Sequence, residues 1–184
     1  MRELSLNDLK LALAECAALT GDWEFVVVGS LAIVGTHPTA PASLRVSQDI
    51  DLFTRENVTR EKNLLIYDRF GPDSEFALEH EFYIEPVGEW TMMTSLPGWE
   101  DRLVKVDSDG GAIGWCISPL DIAYNKAEAG REKDIAYLAG LFRFGIIRPS
   151  TIKDAIEHAG IAADVAAPIH ARIQEAIRRA SAQK

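Results

Sequence analysis

The sequence predicts an α+β fold: a sheet unit over residues 1–118, followed by a helical region over residues 119–184 packed on it. Three observations lead there. Short apolar, β-branched runs are interleaved with helical stretches through the first 118 residues. A Ser118-Pro119 helix start then opens a region in which the apolar pattern keeps the helical period. Finally, 184 residues with 47% hydrophobic and 26% charged side chains can bury a real core but are too few for several large domains.

Ser5, with Asp8 three residues later, is a helix N-cap signal, and Leu6, Leu9, Leu13 and Cys16 then share one helical face until Thr20-Gly21 stops it. Residues 23–28 are apolar without alternation, the pattern of a strand covered on both faces, and end at Gly29-Ser30. Residues 31–34 can make a short helix. Residues 36–42, with His37-Pro38 and Ala40-Pro41, have loop composition, and the stretch from His37 to Leu44 is long enough for a lid or for surface padding. Residues 48–53 form the next strand, with Asp49 and Asp51 on one side and Ile50 and Leu52 on the other.

Two helices follow at 57–70 and 73–80, separated by Gly71-Pro72. Residues 81–87 are expected to be a third strand, with Glu81 and Glu85 on one face. Residues 103–106 and 112–117 flank Asp107-Ser108-Asp109-Gly110-Gly111, a hairpin connection. Beyond Pro119 the helical pattern is interrupted at Gly130, at 145–149 and at Gly160. The four tryptophans are expected in the core or at its rim.

Twenty-eight acidic against 19 basic residues give a net charge of -9, which disfavours broad non-specific attachment to nucleic acid or an anionic membrane. The acidity lies before Pro149: 14 basic and 24 acidic residues there, against 5 and 4 from Pro149 onward. Cys16 and Cys116 sit in apolar runs and read as buried thiols in a reducing compartment, leaving no Cys/His metal cage. No apolar stretch approaches the ~20 residues needed to cross a bilayer. The expectation is a soluble cytoplasmic protein without a membrane partner.

Two segments carry chemistry. A buried strand that ends in Gly29-Ser30 and turns into a helix offers backbone N–H groups and a hydroxyl without side-chain bulk, suited to a phosphate. Asp49 and Asp51, at i and i+2 on one strand face, concentrate hard oxygen ligands suited to Mg²⁺ that also takes oxygens from a nucleotide. Either segment alone is more often structural. Their succession in one α+β unit describes a metal–triphosphate site. His37, His80, His158 and His170 show no ligand or triad spacing.

With these residues in place, the chain resembles a minimal nucleotidyltransferase of the DNA polymerase β superfamily. The helical segment from Asp121 through Lys126 and Arg131-Glu132-Lys133-Asp134 is similar to that of AbiE-type toxin–antitoxin nucleotidyltransferases and their small relatives, as is the stretch Leu96-Pro97-Gly98-Trp99-Glu100-Asp101-Arg102-Leu103. The resemblance covers about residues 23–140. It implies a mixed sheet flanked by helices, with Gly29 and Ser30 as phosphate contacts and Asp49 and Asp51 as Mg²⁺ ligands. It also implies Lys126 as a cation facing the triphosphate, Arg131 and Lys133 as further nucleotide contacts, and a third metal-binding carboxylate, for which Glu85 is the choice. Many members of the superfamily have Asp at that place, and the eighteen residues between Ser30 and Asp49 exceed the spacing of compact members.

The implied activity is Mg²⁺-dependent transfer of a nucleoside monophosphate from a nucleoside triphosphate to a protein or RNA (tRNA) acceptor, in a toxin–antitoxin or phage-defence setting with a cognate toxin or antitoxin partner. The alternative is a catalytically degenerate binding module of the same fold, or an antitoxin-like partner. The bland reading of residues 126–134 is an exposed helix laced by its own ion pairs.

Overall fold

The structure is a computed structural model and describes residues 1–182. Its contacts divide the chain into two units: a sheet unit, Met1–Met93 with Glu100–Ser118, and a helical unit, Thr94–Trp99 with the chain from Pro119 onward.

In the sheet unit, β1 (Arg2–Glu3) leads into α1 (Leu6–Thr20). Ser5 and Asp8 close a capping box, with Ser5 N–H donating to Asp8 Oδ2 at 2.7 Å, and Gly21 ends the helix in the left-handed region. There follow β2 (Glu24–Val27), α2 (Ala32–Thr36), α3 (Ala42–Arg45), β3 (Val46–Ser47) and β4 (Asp49–Thr54). Next come α4 (Arg60–Phe70), α5 (Glu75–His80), β5 (Tyr83–Pro86) and the hairpin β6 (Val104–Asp107) and β7 (Ile113–Cys116). The main sheet runs β5-β4-β2-β7-β6. It is mixed: β4 with β5 and β2 with β7 are parallel, while β2 with β4 and β6 with β7 are antiparallel. The α+β class and mixed sheet are as the sequence predicts.

Ile50, Leu52 and Ile84 are buried, and so are Leu9 and Leu13 of α1 and Ile66 and Phe70 of α4. Both cysteines are free and buried.

Three expectations require correction. The strand expected to begin at Glu81 begins at Tyr83, because Glu81 is the C-cap of α5 with φ +59. Glu81 therefore shares no strand face with Glu85. The stretch expected as a loop is one over residues 37–41, but α3 takes up its end, and β3 just beyond it pairs antiparallel with β1. Leu4 N–H donates to the Arg45 carbonyl at 2.9 Å, Arg45 also pairs with Glu3, and Leu44 is buried, so this stretch is sewn to the N-terminal residues. Two of the tryptophans expected in the core or at its rim lie outside it, Trp23 and Trp90 being 56% and 71% exposed, while Trp99 and Trp115 are half-buried as rim residues.

The helical unit contains α6 (Pro119–Ala129), α7 (Glu132–Arg143), α8 (Pro149–His158) and α9 (Ala163–Ala182). Pro149 occupies the first turn of α8, where a missing N–H costs nothing. Pro168 lies inside α9, which stays continuous with Ile169, Ile173 and Ala176 buried along one face. Among the described residues, no helix is long and apolar enough to cross a membrane.

Candidate active site

The alternation of β4 puts Asp49 and Asp51 on the half-exposed face of the sheet and Ile50 and Leu52 in the interior. Ser47 Oγ donates to Asp49 Oδ1 at 2.5 Å and fixes that carboxylate from the end of β3, just before β4. β5 lies alongside in parallel register, with Asp49 paired to Tyr83 and Asp51 to Glu85. Neighbouring strands are about 4.8 Å apart, so Glu85 is the lateral neighbour of Asp51 on the same face. Burial, and then the charge of Asp49, hold the Glu85 carboxyl above its ordinary range.

On the other side of β4, Val28 N–H donates to the Asp51 carbonyl at 2.9 Å as the last rung between β2 and β4. Gly29 then turns the chain with φ +67. A Cβ at Gly29 would stand 2.1 Å from Asp51 Oδ2, so any other residue here requires the carboxylate or the turn to move. Ser30 continues this turn, and its carbonyl accepts from Ile33 N–H at 3.3 Å. The structure thus brings Gly29-Ser30, Asp49, Asp51 and Glu85 together at one end of three adjacent strands.

Tyr83 belongs to the same face and was missed in the sequence. Burial raises its phenol, followed by the charges of Asp49, Glu85 and Asp51. The signal was available, since Tyr83 is two residues before Glu85 in a strand.

Among the described residues, no three His, Cys, Asp or Glu side chains form a ready metal-holding group. The donor set nonetheless fits Mg²⁺. This ion takes one or two carboxylates plus substrate phosphates rather than an all-protein cage, and the Gly29 turn leaves the space beside Asp51 free of side-chain bulk.

The helical unit gathers Lys126, Arg131 and Asp134 into one cluster. The Asp134 side chain is wholly buried. It accepts from Lys126 Nζ at 3.0 Å and from Arg131 Nε at 2.5 Å. Burial alone would raise its carboxyl, but the bonds from Arg131 and Lys126 prevail and hold it below the usual carboxylate range. Lys126 Nζ also lies 5.5 Å from the centre of the Tyr137 ring. Lys133 is exposed.

The bland reading of an exposed, self-paired helix holds in part, since Arg131 and Asp134 pair at i,i+3, but Lys126 and Asp134 come from two helices. Between them Gly130, at φ +65, leaves room for the Arg172 guanidinium, which donates to the carbonyls of Ala127 and Glu128 at 3.0 and 2.5 Å.

A glycine turn is thus set against the second aspartate of an Asp-x-Asp strand, with a glutamate on the next strand of a mixed sheet. Residues 5–141 match the DUF6036 family, described as nucleotidyltransferase of unknown function, and the chain belongs to that family. The matched span contains every residue of both the sheet site and the Lys126–Asp134 cluster. Comparison with curated proteins and with solved structures finds no match.

Proposed function

We propose that the chain is a Mg²⁺-dependent nucleotidyltransferase that moves a nucleoside monophosphate from a nucleoside triphosphate to a protein or RNA hydroxyl. The observation that carries this reading is the approach of Gly29 to Asp51 with Glu85 in register on the neighbouring strand. Asp49, Asp51 and Glu85 would hold Mg²⁺, which when bound supplies charge neutralisation and alignment for in-line displacement.

The residues of the chain divide the rest of the task. The Gly29-Ser30 turn receives the phosphates on the β2 side of Asp51. Glu85, on the β5 side, faces the incoming hydroxyl. An oxygen–phosphorus bond to the acceptor forms, the bond to pyrophosphate breaks, and the hydroxyl proton passes to solvent. Lys126, Arg131 and Lys133 are proposed as cations toward the nucleotide, on the resemblance of their segment to AbiE-type proteins. The same resemblance supports a toxin–antitoxin or defence setting, and the two free, buried cysteines support a reducing, cytoplasmic one.

A second reading, a nucleotide-binding module without transfer, is favoured by the absence of a ready three-ligand group among the described residues. One experiment separates the two. The protein is incubated with each α-labelled nucleoside triphosphate, Mg²⁺ and cell lysate, and labelled macromolecule and released pyrophosphate are measured. Transfer that disappears in Asp49→Asn and Asp51→Asn supports the enzyme. Nucleotide binding without pyrophosphate release supports the module.

A further inference from the structure

Strand β6 is one edge of the main sheet, and its outer side follows from which residues bond inward. Ser108 N–H donates to the Ala112 carbonyl at 2.8 Å, and the register of β6 with β7 carries that pairing two residues on to Val106 and Gly114. From the far side of β7, Ile113 and Ile117 donate to β2 at 2.7 and 3.1 Å, which leaves Gly114 and Cys116 to bond to β6. Hydrogen-bonded pairs alternate with unbonded ones in an antiparallel ladder. Lys105 and Asp107 therefore turn their N–H and C=O groups outward.

The side chains of this edge are as ordered as its backbone. Val106 is buried, while Lys105 and Asp107 are exposed and pair with each other at 2.8 Å. Both lie on the face of the sheet that carries the site carboxylates. Lys105 is opposite Trp115, Trp115 is opposite Val26 and Val26 is opposite Phe53, which has the parity of Asp49 and Asp51.

An outward row of donors and acceptors is a template for another strand, and charged side chains ordinarily guard it. Here the two charges are opposite in sign and two residues apart, which reverses the effect for one neighbour. When a second copy of β6 approaches antiparallel with the two Val106 residues opposed, Lys105 faces the partner's Asp107 and Asp107 faces the partner's Lys105. These are also the pairs whose outward N–H and C=O groups can exchange both hydrogen bonds. Centring the pairing on Lys105 or on Asp107 instead would oppose two like charges.

We propose that β6 is a self-association edge, through which two copies of the chain join antiparallel across Lys105-Val106-Asp107. Each of the two Lys–Asp pairs closes two backbone hydrogen bonds, and the two five-stranded sheets become one. Directly opposed residues point to the same side of a sheet, so the Asp49–Asp51 faces of both copies look the same way. The inference does not depend on the transferase reading.

Sedimentation of the full chain from low micromolar to millimolar concentration should show a monomer–dimer equilibrium. Lys105→Glu and Asp107→Lys each set like charges across the edge, and each should weaken the dimer about tenfold or more. Mixed in equal amounts, the two variants are complementary to each other and should associate again, which also shows that both are folded. In the wild type, the amides of Lys105 and Asp107 should exchange more slowly with solvent as concentration rises, while that of Val106, bonded to β7, is protected throughout. A wild type that stays monomeric through the millimolar range overturns the proposal. So does a dimer that survives both charge reversals, a mixture that fails to associate, or exchange at Lys105 and Asp107 that ignores concentration.

Discussion

Replacing Gly29 with alanine puts a methyl group where the Asp51 carboxylate stands, and the cost divides into two measurable parts. The first is conformational: an L-residue at φ +67 costs about 1–2 kcal/mol in the left-handed region. The second is steric. The new Cβ would lie 2.1 Å from Oδ2, 3.1 Å from Cγ and 3.4 Å from Cβ of Asp51. Relieving that overlap turns the carboxylate away or shifts the turn, at about 1–3 kcal/mol.

Gly21→Ala isolates the first part, because Gly21 has φ +74 and nothing within 4 Å of a Cβ. For a chain of this length a loss of 1 kcal/mol lowers Tm by roughly 2–4 °C. Gly29→Ala is then expected to fall by about 4–20 °C and Gly21→Ala by about 2–8 °C. The decisive measurement is a double-mutant cycle by urea unfolding. In the Asp51→Ala background the two close atoms are gone and only the ordinary 3.4 Å contact remains. Gly29→Ala should there cost no more than Gly21→Ala. Additivity of the two substitutions within about 0.5 kcal/mol would refute the contact between turn and carboxylate. Mg²⁺-dependent nucleotide binding should drop at least tenfold, as an order-of-magnitude expectation for a displaced ligand, in Gly29→Ala and not in Gly21→Ala.

The same unfolding assays test the charged groups. The folded state raises the Glu85 carboxyl above its ordinary 4.5, so its contribution is fully present below that pH and is lost as pH rises through the folded value. Glu85→Gln should therefore be more stable than the wild type at pH 7, with the gain fading at pH 4; a wild type equally stable at pH 7 would contradict it. Asp134 has the opposite sign, lowered from 3.8, so its contribution is present above that value and is lost as pH falls through the folded one. Asp134→Asn, which strips the charge partner from Lys126, should cost about 3 kcal/mol at pH 7, and a loss below about 1 kcal/mol would show the cluster to be dispensable. Lys126→Ala should destabilise more than Lys105→Ala, because Lys105 pairs with Asp107 at an exposed edge, at 2.8 Å. Equal unfolding midpoints would count against the Lys126–Asp134 bond.

The contrast between Lys126 and Asp49 shows what a sequence can carry. Residue parity along a strand is local, so Asp49 and Asp51 could be placed on one face opposite Ile50 and Leu52 before any neighbour was known. The capping box at Ser5 and Asp8, and Pro119 at a helix start, are equally local. The partner of Lys126 was not legible, because Asp134 lies eight residues away on a second helix and meets it only after Gly130 has turned the chain. The short helix Ala42–Arg45 was hidden for a different reason: it has no side-chain cap and spans only four residues, so loop composition was the stronger local signal.

The third carboxylate lies between these cases. Glu81 and Glu85 have the same parity, so alternation alone admits both. Glu81 is removed by a left-handed cap, a consequence of where α5 ends, and Glu85 is set beside Asp51 by a parallel register made with a strand some thirty residues earlier in the chain. Once that register is known, parity becomes informative again. Tyr83, two residues before Glu85 and paired with Asp49, must lie on the carboxylate face, where burial first and then the charges of Asp49, Glu85 and Asp51 raise its phenol.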